Sequence, residues 1–154
     1  MSRRRLILTV TTGSVALLLT ALAFQYVGGL PPCKLCIWQR WPHVGAIVIG
    51  LIFSYVWDKE TLVWLGAVML LTSSGIGLYH SGVEQGWWRG LESCTGPDFR
   101  SLSVDELLDQ LLAAPLARCD QIPWQMFGLS MANWNAILSM LLAGIWILAA
   151  KVRS

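Results

Sequence analysis

The chain has 154 residues, 55% of them hydrophobic and only 13% charged, against roughly a quarter charged in soluble domains. Its mean hydropathy is +0.58, and its formal net charge of +2 comes from basic residues that are scattered, not clustered. These values exclude an ordinary soluble globular domain and leave no electrostatic footprint for nucleic acid.

A bilayer's hydrocarbon core is about 30 Å thick and needs roughly 20 apolar helical residues to cross it. Four segments reach that length, at about residues 6–27, 37–57, 62–80 and 131–150. The expected fold is an all-α membrane protein: one four-helix transmembrane domain, with loops at about 28–36 and 81–130. The first span follows Arg3-Arg4-Arg5 and contains Ala21-Leu22-Ala23, features shared with cleaved signal peptides. Because the apolar run continues past the alanines at spanning length, we expect it to be retained.

Pro31-Pro32 precede the second span. Proline suits the first turn of a helix, where its missing N–H would go unpaired anyway. A helix is therefore expected to start there, with Cys33 and Cys36 in its first turns. Spacing of three puts both sulfurs on one face, and Arg40, four residues after Cys36, extends it. The helix N-terminus and a nearby cation both favour a thiolate. Taken alone, this C-x-x-C reads equally as a redox pair, a structural disulfide or two inert thiols.

Asp58-Lys59-Glu60-Thr61 forms a tight connection to the third span. There Gly66, Ser73, Ser74 and Gly77 are expected to mark close helix contacts, as Gly45 and Gly50 do in the second span. No acid or base is placed deep within a span, which speaks against a transport pathway. Glu84 falls in the loop beyond the third span and is assigned no role.

The connection to the fourth span is far longer than usual and holds Cys94 and Cys119. Ser103-Val104-Asp105-Glu106 matches a capping box. Val104, Leu107, Leu108, Leu111 and Leu112 then share one helical face, which Pro115 should end. Too short to cross a bilayer, this helix is expected to lie flat at the outer interface.

A disulfide between Cys94 and Cys119 would stabilise the chain by about 3 kcal/mol through loop closure, so structural bonding alone accounts for that pair. Yet one pair sits on a helix and the other on a long loop at the same surface. Exchange needs only that a thiolate reach a disulfide, and two such pairs make an electron relay. No G-x-G-x-x-G follows a strand to hold flavin or nicotinamide. The acceptor is then expected to be an apolar molecule dissolved in the membrane. It would meet the Cys33–Cys36 face near Arg40, whose guanidinium would steady both a thiolate and a reduced anionic acceptor. Arg40 reads otherwise as an interfacial snorkelling residue. Two other classes stand beside the relay. One is a zinc site of Cys33, Cys36, Cys94 and Cys119, although the second pair lacks ribbon spacing. The other is a non-catalytic bundle with structural disulfides.

Orientation follows from the bases near the span ends. Arg3, Arg4, Arg5, Lys59, Lys151 and Arg153 outnumber Asp58 and Glu60 on one side, whereas acids outnumber Arg89, Arg100 and Arg118 in the long loop. Both termini are therefore expected in the cytoplasm, with all four cysteines facing outward. Trp38, Trp41, Trp87, Trp88, Trp124 and Trp134 fall near the outer edge, where amphipathic rings prefer to sit, and Trp57 and Trp64 flank the inner turn.

Several short stretches follow one another along nearly the whole chain. They are Phe24-Gln25, Pro32-Cys33-Lys34-Leu35-Cys36-Ile37, Gln39-Arg40, Tyr79-His80-Ser81-Gly82-Val83-Glu84-Gln85-Gly86-Trp87-Trp88, Cys94 and Arg118-Cys119-Asp120. Together they resemble the disulfide-bond formation protein B (DsbB) family. The resemblance implies a four-helix enzyme of the bacterial inner membrane that reoxidises a periplasmic DsbA-like thioredoxin-fold dithiol oxidase. Electrons would pass to membrane quinone, ubiquinone or menaquinone; that chain keeps the bacterial periplasm oxidising. By similarity, Cys94 would take the partner's attack, with Cys119 as its companion. Cys33 would exchange with the loop pair, and Cys36, assisted by Arg40, would meet the quinone. Phe24, Gln25 and His80 match positions around the family's quinone pocket. His80 reads otherwise as an interfacial packing residue.

Overall fold

Four of the apolar stretches form helices long enough to cross a membrane. They are α1 (Arg3–Tyr26), α2 (Lys34–Tyr55), α3 (Glu60–Glu84) and α4 (Met131–Lys151). The structure, a computed structural model, describes residues 2–91, 94 and 117–152. The interfacial helix expected from Ser103 to Pro115, Arg100 and Arg153 lie outside the described residues. Each helix packs on the next, and α4 closes back onto α1, so the four make a closed bundle. A short antiparallel hairpin, β1 (Gln125–Met126) and β2 (Leu129–Ser130), leads into α4. Phe127 and Gly128 turn it with positive φ, the backbone that two-residue hairpin loops require.

The bundle's outer faces carry exposed Leu19, Val48, Val68 and Leu141, as a lipid-facing surface should, since only a helix satisfies its own backbone in hydrocarbon. Among the described residues its interior has two apolar clusters. One gathers Ile7, Val10, Phe53, Val63, Leu70 and Trp146. The other gathers Cys33, Leu35, Val83, Cys94 and Cys119.

Small residues set the helix spacing. Trp146 is fully buried against Gly66, where an added Cβ would come within 2.6 Å of the indole ring. Gly66→Ala should therefore cost about 1–3 kcal/mol through overpacking, read as a lower thermal midpoint in detergent. An unchanged midpoint would refute that packing. Ser73 and Ser74 donate across the bundle to the carbonyls of Gln39 at 3.0 Å and Ala136 at 2.9 Å.

Three expectations need correction. First, α2 starts at Lys34, not at Pro31-Pro32; Cys33 is its N-cap, in extended conformation. A residue preceding proline is pushed away from helical geometry, and the first orphan N–H groups need a side-chain acceptor. Cys33 Sγ supplies one, accepting from Cys36 N–H at 3.2 Å. Second, α3 runs on to Glu84, so His80 and Glu84 are neighbours one turn apart and Glu84 is not loop. Hydropathy stops at the first polar residues, but these side chains find partners within the bundle. Third, a base does lie within a span. His43 is buried on α2 and bonded through Nε2 to Asn135 Oδ1 at 3.2 Å and Ser139 Oγ at 3.1 Å.

Candidate functional site

The two cysteine pairs, far apart in sequence, meet at one end of the bundle, where Cys33, Cys94 and Cys119 are buried in a single cluster and half-buried Cys36 packs against it. Cys94 and Cys119 are joined in a disulfide, their Cα atoms 5.3 Å apart. The Cys119 N–H donates to the Cys94 carbonyl at 2.9 Å. Arg118 and Asp120 flank Cys119 as a bidentate ion pair, at 2.9 and 2.7 Å. Cys33 and Cys36 are free thiols with sulfurs in contact at 2.7 Å. The zinc reading has no support in this arrangement, because two of its four sulfurs are bonded to each other.

His80 reaches this cluster from α3. Its Nε2 lies 3.6 Å from Cys33 Sγ, and donor atoms of Cys33, Cys36 and His80 all fall within 4.8 Å of one another. The Cys33 thiol, pKa 9.0 in the free residue, is brought down to about 5. The hydrogen bond from Cys36 contributes most; His80 adds to it, against the opposing cost of burial. A thiol whose pKa falls on folding adds stability that is complete above the unfolded value and disappears as pH falls through about 5. Alkylation of Cys33 in the reduced protein should accordingly stay at its thiolate rate down to about pH 5. A rate that already falls away below pH 9, as for a free thiol, would contradict this geometry.

Behind Cys36 lies a cavity of about 100 Å³. Leu17, Leu18, Ala21 and Phe24 of α1 give it apolar walls, and Gln39, Arg40 and His80 give it polar ones. Phe24 is held by the Trp124 ring, centroids 4.9 Å apart. Arg40 reaches back across the bundle, donating to Gln25 Oε1 at 2.6 Å and to the Ala21 carbonyl at 3.3 Å. Gln25 thus acts on the cavity through Arg40.

All eight residues singled out from sequence, Cys33, Cys36, Cys94, Cys119, Arg40, Phe24, Gln25 and His80, lie in or against this region. Sequence reasoning missed the polar groups that orient them. Asn135 Nδ2 donates to Gln39 Oε1 at 2.7 Å, and Gln39 Nε2 donates to His80 Nδ1 at 3.0 Å. One signal was available: Cys36, Gln39 and His43 recur at spacings of three and four, a single polar stripe on an otherwise apolar helix. Glu84 and Asn135 carried no comparable sign.

Comparison with known proteins gives the family. Residues 3–149 match the family described as "Disulfide bond formation protein DsbB". The chain is similar to a disulfide bond formation protein B from Albidiferax ferrireducens, with 34% identity over 147 residues, covering 89% of this chain and 81% of that protein. A protein of the same name from Polaromonas naphthalenivorans is 30% identical over 141 residues, covering 87% of this chain and 83% of its own. Disulfide bond formation protein B 2 of Pseudomonas aeruginosa is 28% identical over 151 residues, covering 93% and 86%. With four spanning helices, two cysteine pairs gathered at one end and a match along almost its full length, this chain belongs to the DsbB family of disulfide bond formation proteins.

Proposed function

We propose that this multi-pass thiol–disulfide oxidoreductase reoxidises a periplasmic DsbA-like thioredoxin-fold partner and passes the electrons to membrane quinone. The gathering of both cysteine pairs in one cluster, with Cys36 and His80 also walling the apolar cavity, carries the reading. A partner thiolate attacks Cys94, and Cys119 leaves as a thiolate. Cys119 then attacks the oxidised inner pair at Cys33, forming a Cys119–Cys33 disulfide and releasing the Cys36 thiolate. The partner's second thiolate frees Cys94, which attacks Cys119 and releases Cys33, so the loop disulfide re-forms and the inner pair is left reduced. The lining suits a quinone headgroup: apolar side chains for its ring, and guanidinium N–H groups for a carbonyl oxygen that gains negative charge. When bound, quinone supplies the sink for two electrons and two protons. Arg40, held by Gln25, would offer its charge to a bound quinone, Phe24 and Leu18 would exclude water, and Gln39 orients His80 beside the sulfurs.

The chain then sits in the bacterial inner membrane, with both termini cytoplasmic and the cysteines periplasmic. Arg3 pairs with Asp58 at 3.7 Å, and Lys59 stands over the Trp57 ring, which gathers positive charge at the end opposite the sulfurs. The test uses purified protein, a reduced DsbA-like partner and quinone, followed by quinone absorbance. Catalytic loss of that absorbance, dependent on the partner, is the expected result. Oxidation of the partner without quinone reduction would overturn the reading.

A further inference from the structure

Glu84 ends α3 with a side chain only 2% exposed, and the electron path described above makes no use of it. A buried carboxylate is costly unless it has partners. Ser130 Oγ donates to its Oε2, and His80 Nε2 stands 3.8 Å from its Oε1. That same nitrogen is the one 3.6 Å from Cys33 Sγ. Cys33, Cys36, His80, Glu84 and Arg118 face a second cavity of about 190 Å³, which shares Cys36 and His80 as a wall with the one that Arg40 lines.

Gln39 decides which hydrogen the imidazole carries. Its Oε1 accepts from Asn135 at 2.7 Å, so its amide nitrogen is the atom that donates to His80 Nδ1 and to the Leu35 carbonyl at 3.3 Å. Nδ1 therefore accepts, and Nε2 holds the ring hydrogen. Nε2 faces a sulfur and a carboxylate, both of them bases, and the Cys119 backbone also lies within reach of the ring. Two anions in one buried site repel each other, and one N–H cannot satisfy both at once.

We propose that Cys33 and Glu84 share a single negative charge across His80 Nε2, so that Glu84 stores the proton that Cys33 gives up. In the reduced inner pair Cys33 is a thiolate, Cys36 a thiol and Glu84 a carboxylic acid. Oxidation joins the two sulfurs, releases two electrons, and frees two protons, one from Cys36 and one from Glu84, which returns to carboxylate. On reduction His80 Nε2 moves the proton, giving its hydrogen to Glu84 and taking the one that Cys33 loses; on oxidation Glu84 releases its proton into the cavity it lines, toward the oxidant. The inference deepens the proposed function, relying on quinone only as the class of oxidant that takes up both electrons and both protons. Other titratable groups facing Glu84 are Cys36 at the start of α2 and Arg118, paired with Asp120, across the cavity. The start of α4 presents neutral Ser130 and Met131.

The test needs no quinone. In full-length protein with Cys94→Ser and Cys119→Ser, only the Cys33–Cys36 couple titrates. Its midpoint potential is measured against pH near neutrality in thiol redox buffers. With Glu84 present the slope should correspond to two protons per two electrons. Glu84→Gln keeps an acceptor for Ser130 but holds no proton, and the slope should halve. Glu84→Asp should restore it. Redox-difference infrared spectra supply a readout on unmutated Glu84: reduction should bring up a protonated carboxyl band. An unchanged slope in Glu84→Gln, or no carboxyl band on reduction, would overturn the proposal and leave quinone turnover untouched. Failure of wild-type quinone turnover would instead overturn the proposed function and leave the slope unaffected.

Discussion

Cys36→Ala should reduce quinone turnover to background while leaving the first exchange intact. Cys36 is the only one of the four cysteines that lines the cavity shared with Phe24 and Arg40. Without its sulfur the inner pair can neither close nor face an acceptor there. The Cys94–Cys119 disulfide belongs to a separate segment and should still be opened by a reduced partner, giving a mixed disulfide that persists. Quinone kinetics and non-reducing gels on the same sample read the two halves separately. Quinone reduction at the wild-type rate would sink the relay. Loss of the mixed disulfide as well would show that Cys36 supports the fold of the loop pair instead of the electron path. Cys33 should also lose its strongest thiolate-stabilising contact, so its alkylation profile should move toward higher pH.

Arg40→Ala is expected to raise the apparent KM for quinone by about 10- to 100-fold, with partner exchange unaltered. Hydrogen bonds to a charged group contribute about 1.5–3 kcal/mol, and each 1.4 kcal/mol corresponds to about tenfold in affinity. The guanidinium spans Gln25 and Ala21 on α1 with two of its N–H groups. Arg40→Lys should therefore restore little, because a compact ammonium cannot reproduce a planar fork. A rate curve against quinone concentration that matches wild type would remove Arg40 from the site. An equal loss with Gln25→Leu would indicate that Gln25 positions Arg40, since a leucine side chain cannot accept from the guanidinium.

Much of the site was legible because its chemistry is written in cysteine, arginine and proline. Cys33, Cys36 and Arg40 share one helical face by spacing alone. Cys94 and Cys119 stand out because little else in a long polar loop needs a thiol. The boundaries were less legible at the sulfur end. There Pro31-Pro32 looked like a helix start, and Cys33 took the capping role instead. The third span looked finished at His80, yet α3 runs on for another turn because Glu84 and Ser81 are satisfied by Ser130 and Asn133.

Sequence by itself determined that four helices cross a membrane and that two cysteine pairs sit at their ends. Hydrocarbon thickness imposes an apolar length, and that length can be counted along a chain. Only the tertiary structure decided that Gln39, Asn135, His80 and Glu84 form one connected set around Cys33. Their hydrogen bonds join α2 to α3 across 41 positions and α2 to α4 across 96. A polar side chain in a span must find a partner, but its spacing along its own helix does not say on which neighbouring helix that partner waits.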